Sequence, residues 1–241
     1  VKLALFVPCM VQDFQPQVAE ATARVLAKAG MSVHYPKGQT CCGQLQYKSG
    51  NWKSARAVAR HFMEVFQDWE AVVAPSGSCV SMVRKYYPEL FRDEPLWRDR
   101  ATDLGKRVFE LTEFLVGVAR VEDLGAQWHA KAVYHDSCQV YRALGIHQEP
   151  RKLLSRVKGL ELLEMEQADV CCGFGGAFSL QFPAVSEAMV AEKVSHILAT
   201  GAELLVSAEI SCLMNIGGYL RKQGHGVKAL HIAEVLAHHG E

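Results

Sequence analysis

The sequence predicts an α/β protein of two tandem, pseudo-symmetric repeats, each a parallel sheet flanked by helices with cysteines at the carboxyl ends of strands. Three observations carry this expectation. All eight cysteines fall into two sets of four in the same order, Cys9, Cys41-Cys42-Gly43 and Cys79, then Cys138, Cys171-Cys172-Gly173 and Cys212. The flanks repeat with them: VKLALFVPC (1–9) matches AKAVYHDSC (130–138), AVVAPSGSC (71–79) matches LLVSAEISC (204–212), and KRVFELTEFL (106–115) resembles VKALHIAEVL (227–236). Self-similarity at this scale marks a repeated structural unit. Short apolar runs also alternate with amphipathic stretches, the pattern of a parallel sheet covered by helices.

In chain order, residues 3–7 form an apolar run of the kind buried strands give. Val18, Thr22, Val25, Leu26 and Ala29 then recur on one face of a helix that Gly30 stops. Residues 32–35 are a weaker strand candidate. Trp52, Ala55, Ala59, Phe62, Phe66 and Trp69 make a second helical face, and 71–74 a further buried strand. In the second unit, Val190, Val194, Ile197 and Leu198 form a comparable stripe before Gly201. The boundary falls within 119–128, where the chain turns polar, and divides a first domain, 1–122, from a second, 123–241.

Composition narrows the function classes. With 26 basic and 26 acidic residues and 49% hydrophobic content, nothing advertises a nucleic-acid or membrane partner. The apolar stretch 1–11 is too short to span a bilayer and lacks a signal-peptide cleavage pattern, so no transmembrane segment is expected and the expected compartment is the cytoplasm. In a reducing compartment eight cysteines read as metal ligands or redox groups rather than as a disulfide framework. No serine, histidine and acid constellation and no paired carboxylates stand out, and neither a flavin nor a nicotinamide fingerprint is present; no catalytic residue is designated.

Each cysteine set follows strand candidates, and in open α/β sheets ligands bind beyond the carboxyl ends of the strands. Four thiols distant in sequence therefore converge at one edge of each sheet. Buried apolar thiols, a structural zinc in one or both sites, thiol–disulfide exchange and an iron–sulfur cluster are the alternatives. Adjacent cysteines suit a cluster better than one ion, because neighbouring side chains diverge and a cluster offers several irons. Gly43 and Gly173 supply the backbone freedom such a turn needs.

On these residues the chain resembles the cysteine-rich CCG domain family, which includes subunits of heterodisulfide reductase and the iron–sulfur subunit of glycolate oxidase. FVPC, GQTCCGQ, PSGSC and ELTEFL in the first half, and YHDSC, RALGI, GLELLEM, CCGFGGAFS, SCLMNIGG and HIAEVLA in the second, are similar to its lactate-utilisation members across essentially the whole chain. The resemblance implies an electron-carrying subunit of an L-lactate-oxidising oxidoreductase. It would work with a larger ferredoxin-like iron–sulfur subunit and a third subunit, while another subunit or cofactor takes the hydride equivalent. It also implies one [4Fe–4S] cluster on Cys9, Cys41, Cys42 and Cys79, and another on Cys138, Cys171, Cys172 and Cys212. The alternatives it leaves are a heterodisulfide-reductase-like thiol role, or zinc in one site. The broader family pattern ends in CxxC, giving five cysteines per domain, and some members use all five for non-cubane clusters. Here Ser76 and Glu209 stand in place of the fifth cysteine. Each is either an oxygen ligand or, respectively, a turn residue and a hydrogen-bonded acid.

Near the second set, His135 is a candidate to ligate, relay a proton or hydrogen-bond a cluster sulfur, or else a satisfied structural group. Asp136 lies beside it, and Arg142 is a candidate to neutralise cluster charge. The glycines of GFGGAF (173–178) lack the order and lysine of a phosphate loop and read as a tight turn over the cofactor. His238 and His239 read as solvent-exposed.

Overall fold

In the computed structural model, which describes residues 2–240, each half of the chain forms a four-stranded sheet in which every pairing is parallel. The first half contributes β1 (Leu3–Leu5), β2 (Val33–His34), β3 (Ala71–Ala74) and β4 (Val108–Glu110), in the order β2-β1-β3-β4. The second contributes β5 (Gln127–Tyr134), β6 (Lys158–Leu163), β7 (Leu204–Ser207) and β8 (Lys228–His231), in the equivalent order β6-β5-β7-β8. The predicted pair of parallel α/β repeats is therefore what the chain forms.

The central strands β1, β3 and β7 are buried at every residue, as strands covered by helices on both faces must be; β1 and β3 are the apolar runs read from the sequence, and β7 lies in the LLVSAEISC segment that the repeat matches to β3. β2 keeps only two residues of the 32–35 run and is partly exposed at the sheet edge. β4 and β8 lie in the repeated KRVFELTEFL and VKALHIAEVL segments, where a short strand runs directly into a helix.

Helices fill the crossovers. α1 (Cys9–Phe14) and α2 (Pro16–Lys28) lead from β1 to β2, and α2 buries Val18, Ala21, Thr22, Val25 and Leu26 before Gly30 takes a left-handed φ of +81°. α3 (Trp52–Phe66) starts where the Asn51 side chain accepts from the Ser54 N–H, and buries Ala55, Ala59, Phe62, Met63 and Phe66. Trp52, expected on that face, is 59% exposed, because the first turn of α3 extends past the core. α4 (Gly77–Ser81) follows β3. In the second half come α5 (Pro183–Ala199), α6 (Ile210–Lys222) and α7 (Ile232–Ala237). Val190, Val194 and Ile197 of α5 are buried, whereas Leu198 is turned outward.

One apolar core runs through both halves, from Leu3, Val18 and Val25 to Leu205, Ile216 and Leu236. A second cluster lies within the first half, where Phe6 meets Phe62 and Phe66 edge-on at ring separations of 4.9 and 5.7 Å. The halves also touch at Gly77, where an added Cβ would come within 2.3 Å of the Val140 side chain. In both sheets the chain leaves the first strand toward one side and returns to the other, so β1/β3 and β5/β7 each flank a topological switch point. The crevice beyond their carboxyl ends is where such sheets bind ligands.

Candidate metal centre

The backbone delivers the cysteines to these switch points. Cys9 opens α1 a few residues past β1, and Cys79 sits in α4 just past β3. The Cys41-Cys42 loop after β2 is tied to β1 by Gln39, whose side chain accepts from the Val7 N–H at 2.8 Å and donates to the Leu5 carbonyl at 3.2 Å. In both Cys-Cys-Gly turns the glycine is left-handed, with φ of +80° at Gly43 and +83° at Gly173. That conformation folds its N–H back onto the first cysteine, at 3.4 Å from Cys41 Sγ and 3.4 Å from Cys171 Sγ. The carbonyl of the second cysteine is held in each half by a different donor. Tyr87 Oη donates to the Cys42 carbonyl at 2.8 Å, and Asn215 Nδ2 to the Cys172 carbonyl at 2.7 Å.

Within the first set, Cys9 Sγ lies 3.8 Å from Cys41 Sγ, and Cys42 Sγ lies 3.3 Å from Cys79 Sγ. All eight cysteines are free; Cys42, Cys79, Cys172 and Cys212 are buried and the other four partly so. The two sets also share a space, since all eight line a single cavity of about 450 Å³ between the halves. Phe174, Gly175, Gly176 and Ala177 of the GFGGAF turn line the same cavity.

The thiols are unequal. Hydrogen bonds from Cys42 and then Cys9 hold the Cys41 thiol far below its ordinary range, and Cys138 and Cys172 do the same for Cys171. Their donors are pushed the other way: Cys9 and Cys138 rise through those bonds and through burial, as do Cys42 and Cys172. Cys212 is lowered to about 5, first by its bond to Cys172 and, against burial, by His135. Each set thus keeps a stabilised thiolate, the form that binds metal.

Donor chemistry and space together test what fits. An all-thiolate set selects zinc or iron–sulfur clusters over hard cations. Eight such donors around one cavity therefore fit a thiolate-bound zinc or iron–sulfur centre.

Ser76 and Glu209 meet each other across the halves. Glu209 Oε2 accepts from the Ser78 N–H at 2.8 Å and from Ser76 Oγ at 3.3 Å, while Oε1 accepts from Ser78 Oγ at 3.2 Å and Ser211 Oγ at 3.1 Å. The carboxylate is a buried hydrogen-bond hub at the cavity wall, and burial raises its pKa to about 6 against the pull of those donors. Ser76 Oγ also accepts from the Cys79 N–H at 3.4 Å, capping α4.

The other expected residues separate. His135 is fully buried, and one of its ring nitrogens lies within 4.8 Å of Cys172 Sγ and Cys212 Sγ. Asp136 is engaged by Arg151 at 2.7 and 3.0 Å and by His147 at 3.2 Å. Arg151, which the sequence reading missed, binds Glu164 as well. Arg142 pairs with Asp169 at 3.1 Å, so its charge is already matched by a protein carboxylate. His238 is half-buried against Trp128, with ring centroids 4.3 Å apart, and only His239 is exposed as expected.

A family model described as "CCG: Cysteine-rich domain" matches residues 3–84 and 132–217. The chain is 50% identical over 235 residues to a protein of Bacillus subtilis called lactate utilization protein A, covering 98% of each. It is 50% identical over 236 residues to the protein of that name from an Exiguobacterium species, covering 97% of this chain and 96% of the relative. To lactate utilization protein A 2 of Bacillus cereus it is 45% identical over 98% of both. A solved structure of a hypothetical protein from Helicobacter pylori superposes on 99% of this chain with a TM-score of 0.66 at 11% identity. This chain spans 49% of that one, and the likeness is one of fold.

Proposed function

The chain belongs to the family of cysteine-rich CCG domain proteins, and from that premise we propose that it is an iron–sulfur electron-transfer subunit of a multi-protein L-lactate oxidation system. Its relatives bear the name lactate utilization protein A over nearly their full length, which supports a role in lactate utilisation. Residues 1–122 form one CCG domain and 123–241 the second. Cys9, Cys41, Cys42 and Cys79 hold one [4Fe–4S] cluster, and Cys138, Cys171, Cys172 and Cys212 hold the other. Bound clusters supply one-electron acceptance and release.

The chain's residues set the conditions. The glycine turns aim the Cys41 and Cys171 sulfurs, the buried cysteines exclude water, and the Glu209 hub fixes one half against the other. The partners are a larger ferredoxin-like iron–sulfur subunit and a third subunit, in the cytoplasm, where free thiols persist. Among the described residues no helix is long and apolar enough to cross a membrane.

The observation that carries the reading is that eight thiols line one cavity. Such an arrangement brings two clusters close enough to exchange an electron and to couple magnetically. Electron paramagnetic resonance of protein prepared without oxygen and fully reduced should therefore show iron–sulfur signals broadened by mutual interaction. Absence of any iron–sulfur signal would sink the reading.

Thiol–disulfide exchange is the second reading, favoured by the 3.8 Å contact between Cys9 Sγ and the partly exposed, proton-poor Cys41. It predicts reversible two-electron oxidation of metal-free protein with loss of two titratable thiols.

A further inference from the structure

The second cysteine set faces a nitrogen donor that, among the described residues, the first lacks. His135 lies just past β5 with 0% of its surface exposed. Its backbone is clamped to β7: the N–H donates to the Val206 carbonyl at 2.8 Å, and its carbonyl accepts from Ser207 Oγ at 3.0 Å. The ring is thereby held at the switch point between β5 and β7.

The hydrogen bonds fix which nitrogen is available. Nδ1 lies 3.1 Å from the Ala168 carbonyl, which can only accept, so Nδ1 carries the hydrogen. A neutral ring in that tautomer presents a bare lone pair at Nε2. Nε2 is buried, has no close hydrogen-bond partner among the described residues, and faces the Cys212 thiol. With Nδ1 committed, Nε2 is the nitrogen left to meet the Cys172 and Cys212 sulfurs, the three ligand atoms lying within 4.8 Å of one another.

Metal-binding histidines adopt this arrangement: one N–H tied to a backbone carbonyl, the other nitrogen aimed at the metal. In this pocket that lone pair can be met by a cysteine thiol or by a metal that the thiolates also hold. The repeat supplies an internal control, because the position equivalent to His135 in the first half is Phe6, packed against Phe62 and Phe66.

We propose that His135 is a ligand, through Nε2, of the metal centre held by the second cysteine set, which is therefore a mixed histidine–cysteine centre beside an all-cysteine one. This rests on the reading that the second set holds metal. It goes beyond that reading in assigning a fifth donor and in making the two centres chemically distinct.

The test uses the intact chain, prepared without oxygen from cells grown on ordinary or ¹⁵N-labelled histidine, then reduced and examined by pulsed paramagnetic resonance. One of the two cluster signals should carry the strong nitrogen coupling of a bound imidazole, altered by the label. His135→Phe, which copies the first half, should abolish that coupling and leave the other signal unchanged. His135→Gln keeps a polar side chain at the site and serves as the check should the phenylalanine variant fold poorly. A coupling that ignores the histidine label, or survives both variants, overturns the assignment. If the second set holds zinc without sulfide, the iron–sulfur reading fails while the ligand is judged separately by X-ray absorption at the zinc edge. A nitrogen neighbour lost in His135→Gln supports it, and an all-sulfur shell overturns it. A second set that binds no metal overturns it too.

Discussion

At positions that the repeat makes equivalent, the first half carries Phe6, Ser76 and Glu110 where the second carries His135, Glu209 and His231. Strand order, left-handed glycine and cysteine placement are the same in both. What differs is the buried side chain past the strand ends: Ser76 and Glu209 line the cavity, His135 faces Cys172 and Cys212, and Glu110 and His231 cap the helices that follow. The backbone grammar fixes where thiols go, and these few side chains distinguish the two halves.

Removing one cysteine from each half should have the largest effect. Cys42→Ser is expected to abolish the first cluster's signal and about half of the iron while sparing the second, and Cys172→Ser to do the reverse. Loss of both signals from either single change would mean that the eight thiols hold one joint assembly. Retention of both signals in Cys42→Ser would remove Cys42 from the ligands.

A smaller contrast is expected between Glu110 and His231, each buried and each capping the helix that follows the fourth strand of its sheet. Glu110 Oε2 accepts from the Thr112 N–H at 2.7 Å, and His231 Nδ1 accepts from the Ala233 N–H at 3.1 Å. Burial raises Glu110 to about 7 from an ordinary 4.5, and lowers His231 to about 4 from 6.5. The folded state thus holds the Glu110 proton more tightly than the unfolded chain. Its contribution is full below pH 4.5 and is lost as pH rises through 7. His231 is the reverse: its contribution is full above pH 6.5 and is lost as pH falls through 4. Each shift corresponds to at most about 3 kcal/mol. Urea unfolding should show Glu110→Gln gaining stability relative to wild type between pH 5 and 7.5, and His231→Gln gaining relative to wild type as pH is lowered from 7 to 4.5. Parallel pH curves for wild type and variants would contradict this.

The smallest contrast is at the two cysteine turns. Alanine at either glycine must adopt a left-handed conformation, costing about 1–2 kcal/mol. At Gly173 the added Cβ would also come within 2.8 Å of the Ser186 carbonyl oxygen, whereas at Gly43 its nearest neighbour is a Val58 methyl at 3.4 Å. Gly173→Ala should therefore lower the unfolding midpoint more than Gly43→Ala; equal losses would show that the second turn can shift.

Much of this was legible in the sequence, for reasons that are local. Buried parallel strands must be apolar runs, so β1 and β3 were visible, and two copies of the cysteine pattern fixed the repeat that places β7. β4, β6 and β8 were not recognised: β4 is only three residues long and ends in Glu110, while β6 and β8 carry exposed polar residues that interrupt an apolar run. The common cavity and the Glu209–Ser78 contact join residues 131 positions apart, and no local pattern encodes which face of one half meets the other. Arg151 was missed for the same reason: its partner Asp136 is reached only after the chain turns back.

The central claim, that these eight thiols hold iron–sulfur clusters, is tested most directly by counting iron, acid-labile sulfide and zinc per chain in protein purified without oxygen. Two [4Fe–4S] clusters predict about eight iron and about eight sulfide per chain with no zinc. Stoichiometric zinc with no acid-labile sulfide would contradict the account.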